Sequence, residues 1–193
     1  MAFRFKGLAL KGLPCKELAL VAILALALPV KAQALNIVAI GASNTSGWGV
    51  GEQNAYPALL QALLRKKGID AHVTNAGRLG DVTGGMRSRL DAAVPKGTDI
   101  VILQPGANDL RFFGTKEARA ANIAAMVQHL HARGIRVVVY DPDNIQRDFY
   151  QWDGIHFNAA AHAKIAATLA AQIAAPVKQQ ADTPSSATPP KPQ

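Results

Sequence analysis

Four apolar runs of strand length punctuate the chain, and stretches with helical period separate them. Ile37-Val38-Ala39-Ile40 is continuously apolar rather than alternating, as a parallel strand buried on both faces requires. Gly41 ends it, and a small, polar, Gly-rich turn follows. His72-Val73-Thr74-Asn75 reads as a short second strand, Asp99 to Gln104 as a third and Ile135 to Tyr140 as a fourth. Between them, Tyr56 to Leu64 carries Leu and Ala at helical spacing with Gly68 as a stop, and Val82 to Leu90 reads as a second helix. Thr115 to Arg133 is a long amphipathic helix with Ile123, Met126, Val127 and Leu130 on one face. The segment from Asp141 to Phe157 is irregular, and an Ala-rich helix runs from near Asn158 to Ala174. Strand and helix alternate four times, which predicts an α/β fold: a three-layer α/β/α arrangement around a parallel sheet of flavodoxin-like order. In such sheets ligands bind beyond the carboxyl ends of the strands.

Both ends of the chain fall outside this pattern. A basic start, the apolar run Leu18 to Val30 and the small-x-small tripeptide Ala32-Gln33-Ala34 together describe a secretory signal peptide cleaved after Ala34. The run is short for a bilayer span of about 20 residues, so no stable membrane insertion is expected after cleavage. Cys15, the only cysteine, would leave with the leader. From Pro176 onward Pro, Ser, Thr, Gln and Lys dominate, a composition that buries no core. The expected organisation is therefore a signal peptide over 1–34, one domain over 35–175 and a tail over 176–193, in a periplasmic or secreted protein. With 193 residues, 49% of them hydrophobic, the chain suffices for one core.

The net charge of +8 narrows partners less than its size suggests. Residues 1–34 hold five of the 21 basic residues and one of the 13 acidic ones, which leaves sixteen against twelve. These are scattered apart from Arg65-Lys66-Lys67, with no basic stripe interleaved with aromatics, so no nucleic-acid partner is expected. Neither a His-Glu-x-x-His pattern nor a cysteine pair occurs, and no metal or cofactor is expected. Gly47-Trp48-Gly49-Val50-Gly51 is no dinucleotide fingerprint: Glu52 stands where the last glycine belongs, and Asp70 precedes the second strand.

The remaining unusual residues suit acyl transfer, which needs a nucleophile, a base, a group orienting the base and donors for an oxyanion. Ser43, just past the first strand, is the candidate nucleophile. Of the five histidines, only His156 lies in an irregular segment, and Asp153 precedes it by three residues across Gly154. Asp153 is placed to accept from one ring nitrogen and leave the other to face Ser43. The Ser43 N–H, the Gly80 N–H and the Asn108 side-chain amide complete a three-donor oxyanion hole. Taken singly, each has a plainer reading: a turn glycine, an Asx-turn, or caps of the last helix. Arg78, Arg111, Phe112, Trp48 and Met86 are candidates for lining a substrate groove.

Gly41-Ala42-Ser43, Gly80-Asp81-Val82-Thr83, Gly106-Ala107-Asn108-Asp109 and Asp153-Gly154-Ile155-His156 occur in the order and sheet positions of the SGNH hydrolases, or GDSL-type esterases. The chain resembles that family across residues 36–174, and within it the bacterial periplasmic thioesterase I and lysophospholipase-like arylesterases. The resemblance implies Ser43, Asp153 and His156 as catalytic residues, Ser43, Gly80 and Asn108 as the oxyanion hole, and no cofactor. It implies a serine esterase acting on carboxylic ester or thioester substrates. A carbohydrate acetylesterase and a ligand-binding domain without turnover are the alternatives on the same site. The chain departs from the family at Ala42 and Asn44, where Asp and Leu flank the serine, at Leu79 where Ser is frequent, and at Val82 before Thr83. Ala42 removes a carboxylate that would brace the nucleophile loop. The segment between Tyr140 and Asp153 is also short, with room for a connector rather than a further strand and helix.

Overall fold

A computed structural model describes residues 33–112, 114–141 and 145–175. The expected leader, including Cys15, and the tail from Pro176 therefore lie outside the described residues, except for the last two leader positions. The apolar runs become four parallel strands: β1 (Leu35–Gly41), β2 (Ala71–Gly77), β3 (Ile100–Gln104) and β4 (Arg136–Val139). Their order is β2-β1-β3-β4, and Ile37 pairs with both Val73 and Ile100. This is the flavodoxin-like order with four strands among the described residues.

The central strands β1 and β3 explain why their sequences do not alternate in polarity. Ile37, Ala39, Ile100 and Ile102 point to one face of the sheet, where α2 (Tyr56–Lys66) and α7 (Ala159–Ala174) pack through Tyr56, Leu60, Leu64, Ile165 and Leu169. Val38, Ile40, Val101 and Leu103 point to the other, against α3 (Thr83–Ser88), α4 (Leu90–Ala93) and α6 (Lys116–Ala132) through Met86, Leu90, Met126 and Leu130. Each fully buried Leu, Ile or Met side chain contributes about 1.5–3 kcal/mol by leaving water. Two cores result, one per face, and both hold the same strands.

The helices begin where the sequence supplies a cap. Thr115 accepts from Ala118 N–H at 3.1 Å and starts α6. Asn158 accepts from Ala161 N–H at 3.1 Å and starts α7. Pro57 lies in the first turn of α2, where its missing N–H costs nothing. Among the described residues no helix is long and apolar enough to cross a membrane.

Three local expectations change. β2 runs from Ala71 to Gly77, longer than the four residues expected, because it is extended by Ala71, Ala76 and Gly77, which carry little strand preference of their own. The single helix expected over Val82 to Leu90 is two helices, α3 and α4, broken at Arg89 (φ −105°, ψ 9°). The polar turn after β1 is itself a helical turn, α1 (Ser43–Ser46), closed by Gly47 in the left-handed region (φ 85°). Among its described residues, the segment before Asp153 holds a 3₁₀ turn, Arg147–Phe149, and Tyr150 forms an antiparallel bridge with Phe157.

Candidate active site

Ser43 opens α1 at the carboxyl end of β1 and is nearly buried. Two bulky neighbours are excluded from the turn behind it: a Cβ on Gly41 would strike Thr45 Oγ1 and the Gln104 carbonyl, and one on Gly77 the backbone of Thr45 and Ser46. Thr45 Oγ1 donates to Gln104 Oε1 at 2.5 Å and lies 3.2 Å from the Tyr56 hydroxyl, so the turn is pinned to β3 and α2.

His156 reaches this turn from 113 residues away. Its Nε2 lies 3.1 Å from Ser43 Oγ. Its Nδ1 lies 2.6 Å from Asp153 Oδ2. Asp153 Oδ1 accepts from the Ile155 and His156 backbone N–H groups at 2.9 and 3.0 Å. The His156 N–H first, then its ring, then the Ile155 N–H hold the Asp153 carboxyl down to about 2. An ionised Asp153 fixes the proton on Nδ1 and leaves the Nε2 lone pair directed at the serine hydroxyl. That is the geometry in which an imidazole takes a hydroxyl proton.

The three expected oxyanion donors lie on three loops that touch each other. Neither the Ser43 nor the Gly80 N–H has an acceptor among the described residues. Asn108 opens the short helix α5 (Asn108–Phe112), and its Nδ2 donates one hydrogen to the Asp81 carbonyl at 2.8 Å, which leaves the second. Ser43 and Asn108 line one small cavity of about 40 Å³ with Ala42, Gly106 and Ile155. Gly80, at φ 73°, does not line it; its loop is tied beside it through the Arg78 N–H, which donates to the Gly41 carbonyl at 3.0 Å.

Arg89 and Gln151, which the sequence did not single out, and Asn44, Asp81 and Asp109, to which it gave no such role, hold these loops together. Arg89 Nε donates to Asp81 Oδ2 at 2.8 Å, and its Nη2 donates to the Gly41 carbonyl at 3.2 Å. This pair supplies a brace for the nucleophile loop where Ala42 has no carboxylate. Asn44 Oδ1 accepts from the Phe157 N–H at 2.9 Å and so joins the residue after Ser43 to the residue after His156. Asp109 accepts from the Thr83 N–H and hydroxyl at 2.9 and 2.5 Å, which binds the Asn108 loop to the start of α3. Gln151 Nε2 donates to the Trp48 and Phe157 carbonyls, both at 2.8 Å. Most of these bonds end on backbone atoms, which every residue carries, so no side-chain pattern announces them.

A larger cavity of about 250 Å³ adjoins the small one and shares Asn44, Gly106, Arg111 and Ile155 with it; Ser43 itself does not line it. Leu110, Arg111, Tyr150, Ile155 and Phe157 line it, and the ion pair of Arg119 with Asp141 (2.5 Å) closes part of it. Arg119 also donates to the Gly106 carbonyl through Nε and Nη2, at 3.1 and 2.9 Å. Of the expected groove residues, Arg111 lines this cavity, and Trp48 lies beside His156 with ring centroids 6.0 Å apart. Arg78 is exposed and outside the lining, and the Phe112 side chain lies outside the described residues. Met86 does not line a groove: it is fully buried in the core beneath α3, where its place in the helix turns it toward the sheet. Among the described residues no group of three or more His, Cys, Asp or Glu is placed to hold a metal ion.

The GDSL-like lipase/acylhydrolase family model matches residues 39–182, three-quarters of the chain, and spans Ser43, Gly80, Asn108, Asp153 and His156. The chain belongs to that family. Esterase TesA of Pseudomonas aeruginosa is 32% identical over 111 residues, 56% of this chain and 55% of its own length. The arylesterase of Vibrio mimicus is 31% identical over 105 residues, 53% and 52% of the two. The chain thus spans about half the length of the curated relatives it matches. The crystal structure of TesA superposes with a TM-score of 0.64 at 22% identity, over 72% of this chain and 98% of that one, so the family fold is shared.

Proposed function

We propose that this GDSL-like acylhydrolase is a serine hydrolase that cleaves carboxylic ester or thioester bonds through an acyl-serine intermediate. The observation that carries the reading is the line of short contacts from Asp153 through His156 to Ser43. His156 Nε2 takes the Ser43 proton as Oγ attacks the substrate carbonyl carbon. The carbonyl oxygen becomes an oxyanion, and the Ser43 N–H, the Gly80 N–H and the free hydrogen of Asn108 donate to it. Asp153 stabilises the imidazolium. As the carbonyl re-forms, His156 protonates the leaving alcohol or thiol. Water then attacks the acyl-serine with the same base, and the carboxylic acid leaves.

Our reading of the remaining chain is a cleavable leader over 1–34, a hydrolase domain over 35–175 and a non-core tail over 176–193, in a secreted or periplasmic protein. The apolar run behind a basic start and the Ala32-Gln33-Ala34 tripeptide support it.

The test is hydrolysis of a nitrophenyl ester series by the purified chain and by its Ser43→Ala variant, with fluorophosphonate labelling of both. We expect turnover by the parent, a loss of about 10³-fold or more in the variant, and a label confined to the parent at Ser43. Equal turnover by the two excludes the mechanism. A folded parent that neither turns over nor labels marks a ligand-binding domain instead. Turnover limited to acetylated sugars identifies a carbohydrate acetylesterase.

A further inference from the structure

His162 is a polar side chain on the apolar face of α7. It is fully buried, and the buried positions that follow it on the helix, Ile165, Ala166, Leu169, Ala170 and Ile173, are all apolar. A leucine would fill the space without a polar cost, whereas the imidazole leaves Nε2 with no partner among the described residues. What the imidazole adds is an acceptor. Its Nδ1 takes the Tyr56 N–H at 3.2 Å, so the ring is neutral there and carries its proton on Nε2. Tyr56 opens α2, and the N–H groups of a first turn find no acceptor within their own helix. Tyr56 is also fully buried, so solvent does not satisfy that N–H.

With that bond alone His162 would cap α2 and do no more. Two further contacts extend its reach. The ring is stacked on Tyr56, with centroids 6.4 Å and planes 12° apart. Thr45 Oγ1 gives its proton to Gln104, so the Tyr56 hydroxyl donates to Thr45 Oγ1 at 3.2 Å. The imidazole and the Phe157 ring meet edge to face, with centroids 6.2 Å apart. The Phe157 N–H donates to Asn44 Oδ1 at 2.9 Å. The contacts therefore close on themselves: His162 to Tyr56, Tyr56 to Thr45, Thr45 to Asn44 along the chain, Asn44 to Phe157, and Phe157 back to His162. Ser43 directly precedes Asn44, and His156 directly precedes Phe157. Each side of the Ser43–His156 contact is thus one peptide bond from the same closed circuit. We propose that His162 is a positioning residue for acyl transfer, holding the Ser43 turn and the His156 loop at the separation that proton transfer needs. A misplacement of about 1 Å costs about 10²-fold in rate, so a buried ring that fixes both loops acts on kcat without touching substrate. The inference rests on the hydrolase reading, which supplies the reaction that is positioned.

The test is a double-mutant cycle on a soluble nitrophenyl ester, with the full chain, at a temperature where every variant is folded. His162→Leu keeps the apolar volume and removes the acceptor. We expect its kcat to fall about tenfold at nearly constant KM, and the rate of fluorophosphonate labelling at Ser43 to fall with it. His162→Asn places a side-chain oxygen near the Nδ1 position and should recover most of both. Leu169→Ala, in the same helix and the same core, should lower the melting temperature at least as much yet leave kcat close to the parent's. His162→Leu combined with Asn44→Ala should lose little more than the worse of the two, because both open one circuit. Should His162→Leu fail to fold, Tyr56→Phe, which removes only a hydroxyl from the circuit, enters the cycle with the same expectation. An unchanged kcat in His162→Leu, an equal loss in Leu169→Ala, no recovery by His162→Asn, or losses that multiply in the double variant each overturn the proposal. An active parent whose kcat ignores position 162 sinks the positioning role alone. A parent that turns over no ester sinks the hydrolase reading, and the positioning role with it.

Discussion

At the scale of single residues, the site depends on side chains that never meet the substrate. The Arg89–Asp81 pair is largely buried, and its guanidinium spans the carboxylate after Gly80 and the carbonyl two residues before Ser43. The Asp81 carbonyl in turn takes one hydrogen of Asn108. One side chain, Arg89, is therefore linked to the loops of all three proposed donors. Arg89→Lys keeps the charge opposite Asp81 but cannot make both bonds with a planar fork. We expect kcat to fall about tenfold at nearly constant KM, since small misplacement of donors weakens transition-state binding more than substrate binding. Steady-state kinetics on a soluble ester, with the melting temperature recorded alongside, separates this from simple destabilisation. Gly80→Ala is a contrasting case. A Cβ there meets open space, so only its left-handed backbone (φ 73°) resists the change. The cost is about 1–2 kcal/mol, relieved if the loop turns and takes the N–H away from the site. We expect a lowered kcat with a small change in stability, read by the same two measurements.

At the scale of elements, α7 carries a titratable group in the middle of its apolar face. His162 is fully buried, stacked against Tyr56 and edge-on to Phe157, the residue after His156. Its Nδ1 accepts from the Tyr56 N–H at 3.2 Å, while Nε2 has no partner. Burial pushes its pKa from 6.5 down to about 4. Above pH 6.5 both folded and unfolded chains keep the ring neutral, and the group adds no pH dependence. As pH falls from 6.5 toward 4 the unfolded chain takes a proton that the folded one refuses, so stability falls through that window, by at most about 3 kcal/mol. Asp153, held near 2 against an ordinary 3.8, adds its own loss only below that window. Urea midpoints between pH 7.5 and 4.5 should decline in the parent. His162→Leu, destabilised overall because the Tyr56 N–H loses its acceptor, should show a flatter profile over the same range. An unchanged slope in the variant would assign the decline to other groups.

At the scale of the molecule, what the sequence made legible is what repeats along the chain. The central strands were legible because burial on both faces forces an unbroken apolar run, as in Ile37 to Ile40. The edge strand β2 was legible only in its middle, since Ala71, Ala76 and Gly77 at its ends have little strand preference. The candidate site residues were legible through their order, one short motif after each of the first three strands and one before the last helix, and the structure brings Ser43 and His156 within hydrogen-bonding reach. The break at Arg89 and the Asn44 tie were not, because they arise where distant loops meet rather than from any periodicity. This division between frame and junctions leads to a paired expectation. Ile102 lies fully buried in the middle of β3, on the face covered by α2 and α7 and below the loops. Ile102→Ala should cost about 2–5 kcal/mol through the cavity it leaves. Kinetics measured well below the lowered melting temperature should nonetheless be close to the parent's per folded molecule, because the junctions at the sheet edge are intact. Asn44→Ala should behave in the opposite sense. It removes one side-chain bond from a part-buried position, worth about 1 kcal/mol of stability. It also frees the loop of His156 from the loop of Ser43, so kcat should fall by about tenfold or more while the urea midpoint moves little. If Asn44→Ala lowers stability and activity together, or Ile102→Ala slows the folded molecule as much, frame and junction are not separable in this fold.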